Sequence, residues 1–139
     1  MDLKKINTTA LAYLGDAVYE VYVREASVRR NPVNIDAVHR SNIKYVRAEG
    51  QELAVRELQD ELTPEEASLV RRARNHKITS SPRKVNPMTY KMATAFEALI
   101  GYLYLSGDKD RLEYIIEKAF DIIDSSGDAA KQPRGKETK

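Results

Sequence analysis

Two carboxylates stand where a helix ordinarily disfavours them. Asp16 lies inside Leu11–Arg24, LAYLGDAVYEVYVR, a run of leucine, valine and tyrosine at helical spacing. Glu97 lies inside Ala95–Leu105, AFEALIGYLYL, and is the single acid in the 41 residues from Ala67 to Gly107. A carboxylate among apolar neighbours is costly to desolvate unless a cation or hydrogen-bond donors compensate. Aspartate is also a poor mid-helix residue, because its short side chain competes for the backbone. Each acid has a glycine close by, Gly15 and Gly101, and glycine inside a helix costs about 1 kcal/mol against alanine. One arrangement explains all four residues: the two helices cross closely at the glycines, with Asp16 and Glu97 facing one another. Two hard oxygen ligands at one place suit Mg²⁺, with Mn²⁺ as a substitute and water completing the octahedron. The competing reading makes either acid a helix cap, an arginine partner or a surface group. Glu20, one turn after Asp16, reads as surface.

Those acids need helices to hold them, and the apolar spacing is helical nearly throughout. Leu11, Leu14, Val18, Val21 and Tyr22 predict one face of a first helix from Thr8 to Arg29. Asn31-Pro32 breaks it, and Asn34 is placed to cap a second helix through Val46. A short helix follows over Glu52–Leu62. Thr63-Pro64-Glu65-Glu66 is a strong start signal, with Thr63 as N-cap, proline at N1 and Glu66 completing a capping box. That helix runs to about His76, and Lys77–Asn86, KITSSPRKVN, has the composition of a loop. Asn86-Pro87 opens a helix to about Leu105, Ser106-Gly107-Asp108 turns, and Leu112, Ile115, Ile116, Ala119, Phe120 and Ile123 mark the last packed helix. The expectation is an all-α fold over 1–125, followed by a disordered basic tail over 126–139, where hydrophobes run out.

Composition narrows the function. A chain of 139 residues with 42% apolar and 32% charged residues is one domain with a real core. Cysteine is absent, which removes any disulfide partner and any thiolate metal site. The N-terminal MDLKKINTT lacks a signal-type apolar core, and no stretch is long enough for a membrane span, so a cytoplasmic protein is expected. Seven lysines or arginines and no acids fall between Arg71 and Lys91, against a net charge of +2 for the chain. A basic segment on an otherwise acidic body points to a polyanion.

In combination these motifs resemble a known family. LAYLGDAVYEVYVR resembles the signature helix of the ribonuclease III catalytic domain, and ATAFEALIGYLYL resembles that domain's second acidic helix. Arg71–Lys77, RRARNHK, matches the basic block of the short Mini-III branch, which lacks a double-stranded-RNA-binding domain. The resemblance covers Thr8 to Ile123. It departs from the larger enzymes at Thr9 and Ala12, where they carry acids before the signature aspartate, and at Thr94, where they carry another aspartate. Two carboxylates per subunit therefore remain, which favours one well-held metal ion.

The resemblance implies a homodimeric helical bundle that cleaves double-stranded RNA with Mg²⁺, leaving 5′-phosphate ends, and a role in maturing the large-subunit (23S) ribosomal RNA precursor. Asp16 and Glu97 are then the catalytic metal ligands. Tyr13, Leu14 and Ala17 line the two-fold interface, with core packing the alternative for Tyr13. Duplex RNA is expected to be held through shape and phosphates by Arg71, Arg72, Arg74, Asn75, Lys77, Ser80, Ser81, Arg83 and Lys84, with Arg40 and Lys44 adding a basic face. His39 and His76 fit phosphate or solvent contact better than chemistry. A non-catalytic module that binds structured RNA is the main alternative. A helical Mg²⁺-dependent nucleotide hydrolase is disfavoured, because Glu61, Glu65 and Glu66 fall at a turn and a cap.

Overall fold

The computed structural model describes residues 1–76 and 84–131, with side chains through 126. Six helices follow one another: α1 (Thr8–Arg30), α2 (Ile35–Val46), α3 (Ala48–Glu57), α4 (Pro64–Asn75), α5 (Pro87–Ser106) and α6 (Lys109–Lys131). Short 3-10 turns cover Leu3–Lys5 and Gln59–Glu61. Among the described residues there is no strand, as the helical spacing predicts.

The helix ends follow local chemistry. Asn7 and Asn34 cap α1 and α2 by accepting the Thr9 and Ala37 N–H groups. At α4 the Thr63–Glu66 capping box is complete, with Pro64 in the first turn. Asn86 accepts from Met88 and Thr89 at the start of α5, and α5 stops at Gly107, whose φ of 80° is left-handed. The third helix differs from expectation. It starts at Ala48 rather than Glu52, and the segment expected to be helical through Leu62 breaks into α3 and a 3-10 turn. Arg47 begins α3 with no side-chain cap bond, so that start carries no sequence signal. The elbow between α2 and α3 is tight: a Cβ at Gly50 would lie 2.4 Å from the Lys44 carbonyl oxygen. At the other end, α6 continues to Lys131, past the boundary expected after Ser125; residues 132–139 lie outside the described residues.

The core is built around α5, which packs against α1, α3, α4 and α6. Its buried residues, among them Met92, Ala95, Phe96, Leu99, Ile100 and Leu103, lie all round the helix, the pattern of a helix enclosed by others. The Phe96 ring meets Tyr19 edge-on, with centroids 5.0 Å apart, and Phe120 joins Tyr45 at 4.8 Å. The Tyr19 hydroxyl donates to the Tyr45 carbonyl at 3.0 Å, tying α1 to the end of α2.

α1 buries most of the expected face, with Val21 the exception and Tyr19 and Val23 added to it. Leu11, Ala12, Gly15, Val18, Tyr19 and Val23 are buried, Leu14 and Tyr22 are half-buried, and Val21 is 63% exposed. Two apolar faces on one helix blur the periodicity that separates inside from outside. Between α4 and α6, Glu66 is buried and accepts two bonds from the Arg111 guanidinium, at 3.0 and 2.7 Å. Burial opposes ionisation of Glu66, but the Arg111 and Thr63 bonds outweigh it and hold its carboxyl below the usual value.

Candidate active site

The site forms where α1 crosses α5. A Cβ on Gly15 would lie 1.8 Å from the Glu97 carbonyl oxygen, and one on Gly101 would lie 2.1 Å from the Leu11 carbonyl oxygen. Both contacts are with backbone, which cannot swing aside. The two glycines are therefore required by the approach of the helices, and that approach puts Asp16 and Glu97 side by side.

Glu97 is half-buried and Asp16 is exposed. Burial, the negative charge of Asp16 and a hydrogen bond between the two push the Glu97 carboxyl up to about 8. These influences favour the protonated form of Glu97, which can donate to Asp16. Gln51, on α3 and only 4% exposed, works the other way: its amide beside Glu97 favours the ionised form. Three helices converge here, two bringing acids and the third a buried amide.

The donor set fits a hard divalent cation. Two carboxylates lie within hydrogen-bonding reach of each other, and each would gain from a cation in place of a shared proton. Among the described residues no third histidine, cysteine, aspartate or glutamate joins them, so water and substrate oxygen would supply the other ligands of a bound ion. Glu20, one turn along α1, pairs with Arg24 at 2.9 Å and takes the surface role expected of it.

Gln51 is absent from the reading of the sequence. A signal was available, because Gln51, Ala54, Val55 and Leu58 follow i, i+3, i+4, i+7 and all four are buried. A glutamine in that apolar register asks for a partner.

The structure spreads the other candidate residues over separate surfaces. Arg71, Arg72 and Asn75 are exposed at the end of α4, and Arg74 is half-buried and donates to Asn75 at 3.2 Å. Lys84 is exposed. Lys77, Ser80, Ser81 and Arg83 lie outside the described residues. Arg40 is exposed on α2, while Lys44 meets Asp124 of α6 at 2.8 Å. Tyr13 is 85% exposed, which removes core packing as its role. Tyr13, Ala17 and Val21, one turn apart, form an outward apolar stripe beside Asp16. No helix among the described residues is long and apolar enough to cross a membrane.

Residues 9–108 match the model of the ribonuclease III domain family. A Mini-ribonuclease 3 from Symbiobacterium thermophilum is 43% identical over 114 residues, spanning 82% of this chain and 88% of that relative. A second, from Gloeobacter violaceus, is 44% identical over 116 residues, or 84% of each chain. A crystal structure of a Fusobacterium nucleatum protein superposes with a TM-score of 0.76 at 31% identity, covering 86% of this chain and 96% of the other. A helical frame of this shape, with two acids at its central crossing, and relatives this similar over most of their length place the chain in the ribonuclease III family of RNA-cleaving nucleases, in its Mini-ribonuclease 3 branch.

Proposed function

We propose that the protein is a cytoplasmic, Mg²⁺-dependent endoribonuclease that cuts double-stranded RNA and matures the large-subunit (23S) ribosomal RNA precursor. The observation that carries the catalytic part is the pairing of Asp16 with Glu97 at the α1–α5 crossing, in a fold of this family. The ribosomal target rests on the likeness to the Mini-III branch.

Asp16 and Glu97 hold the metal, and Gln51 keeps Glu97 oriented toward it. When bound, Mg²⁺ (or Mn²⁺) supplies charge neutralisation at the scissile phosphodiester and activates water for in-line attack, leaving a 5′-phosphate. A cation bound there would favour the ionised form of both acids, in place of the proton they can share. Asp16, the exposed member of the pair, faces the incoming phosphate, while Glu97 anchors the site from its half-buried position.

Arg71, Arg72, Arg74, Asn75 and Lys84 bind duplex phosphates, together with Lys77, Ser80, Ser81 and Arg83 of the intervening segment. Arg40 extends the contact along α2, and Lys44 contributes from the position fixed by Asp124. A second copy of the chain covers the Tyr13–Ala17–Val21 stripe and the edge of Leu14, which gives a homodimer with one carboxylate pair for each RNA strand.

Cleavage of a long labelled duplex is the test, run with Mg²⁺, with EDTA and with Asp16→Asn, alongside single-stranded RNA. Metal-dependent cutting of duplex alone, lost in the variant, is expected. Equal duplex binding by both proteins, with no cutting under any divalent metal, would instead make this a structured-RNA-binding module.

A further inference from the structure

The arginines of this protein fall into two groups. Arg24, Arg29, Arg56 and Arg111 each pair with a glutamate, at 2.7–2.9 Å. Arg30, Arg40, Arg47, Arg71, Arg72 and Arg74 have no carboxylate partner within ion-pair distance among the described residues, and the first three lie away from the end of α4. These three line one open groove with Asn31, Ser41 and Lys44. They come from three places in the chain: the end of α1, the middle of α2 and the α2–α3 elbow. No acid lines the groove.

The groove is also held in shape. The Arg30 guanidinium donates to the Tyr45 hydroxyl at 3.0 Å and lies 5.5 Å from the centre of that ring. The Tyr45 hydroxyl in turn donates to Asp124 at 2.6 Å. Lys44 and, more weakly, Arg30 answer the charge of Asp124, so both brace the wall, while Arg40 and Arg47 keep uncompensated charge. Arg40 lies in the middle of α2, and Arg47 follows its last residue at the elbow, where the backbone is extended.

Arg47 lines one end of the groove and precedes Gln51, the neighbour of Glu97, by one turn of α3. The other end lies at Arg30, about 21 Å along α1 from Asp16.

We infer that this groove binds the sugar–phosphate backbone of the RNA substrate outside the cleavage point, with Arg30, Arg40 and Arg47 meeting successive phosphates. This rests on the duplex-cleaving reading above and extends its Arg40 contact to Arg30 and Arg47, as one groove separate from the end of α4. The groove then sets how much duplex must extend from the cut for tight binding, because short duplexes end before reaching Arg30.

The test uses Asp16→Asn as the parent, so that binding is measured without cleavage, and a fluorescent RNA duplex titrated at several KCl concentrations. Each of Arg30→Ala, Arg40→Ala and Arg47→Ala is expected to weaken binding roughly tenfold at about 0.1 M salt. Each should also lower the slope of log K against log salt by about one. Arg40→Lys should restore most of the slope, and Arg29→Ala, whose partner is Glu25, should leave it unchanged. Shortening the duplex should erase the effect of Arg30→Ala first. A parent that binds duplex, with groove variants of unchanged slope, overturns the groove assignment alone. If the parent binds no duplex and the wild-type protein cuts none, the nuclease reading falls and takes this inference with it.

Discussion

Glu66 and Glu97 both sit on helices that pack into the core, and their surroundings push them in opposite directions. Glu66 receives two bonds from Arg111 and one from the Thr63 backbone, and its carboxyl is held below the usual value. Glu97 faces another acid, has one amide beside it, and rises to about 8. The chain supplies Glu66 with its own cation. It leaves Glu97 and Asp16 to be neutralised by a proton or by something that arrives from solution. The difference separates a carboxylate that holds a fold together from one available for chemistry.

The strongest way to break this contrast is to remove each charge in turn. Glu97→Gln should lower duplex cleavage roughly 10³-fold, the loss of several kcal/mol of charge stabilisation by the metal. Its melting temperature should stay level or rise, since glutamine replaces a carboxyl whose ionisation is opposed by burial and by Asp16. Glu66→Gln should instead cost about 3 kcal/mol in urea unfolding, because Arg111 is left without its partner, while the folded fraction keeps cutting. Equal stability losses at the two positions would end the distinction.

A smaller effect sharpens the role of the third helix. Gln51→Ala should lower apparent Mg²⁺ affinity by about 10–100-fold, the usual cost of losing a group that orients a metal ligand. Titrating Mg²⁺ into the cleavage assay reads this directly. An unchanged midpoint would reduce Gln51 to packing.

The mildest test is pH. A carboxyl raised in the folded state binds extra protons there, so Glu97 makes metal-free stability fall as pH climbs from 4.5 toward about 8. The slope is at most about 1.4 kcal/mol per pH unit, and Glu97→Gln should flatten it. Glu66, with its carboxyl lowered, acts in the other direction: its stabilisation is present at neutral pH and is lost as pH falls below the usual glutamate range. Urea unfolding across pH, with EDTA present, should resolve the two limbs. Mg²⁺ affinity should rise with pH up to about 8 and level off above it, since the proton and the metal compete for Glu97.

Much of the fold could be read locally. Thr63 with Glu66, Asn34, Asn86-Pro87 and Gly107 mark helix ends through short-range hydrogen bonds and a left-handed turn. α3 was harder, because Arg47 leaves no cap and the tight elbow is made by Gly50 against the Lys44 carbonyl. The exposed Val21 and the buried Tyr19 and Val23 were assigned poorly, since α1 is apolar on more than one side. Gln51 escaped notice because its partner lies on another helix, 46 positions away.

The sequence by itself determined the all-helical class, most helix ends and the pairing of Asp16 with Glu97, because glycines beside misplaced acids have few other physical explanations. Tertiary structure alone decided which arginines keep their charge for a ligand, which side of α1 faces out, and how Gln51 completes the site. Those outcomes depend on distances between separate helices. Local propensity and periodicity constrain the neighbours of a residue along one helix, and they are silent about what the next helix brings against it.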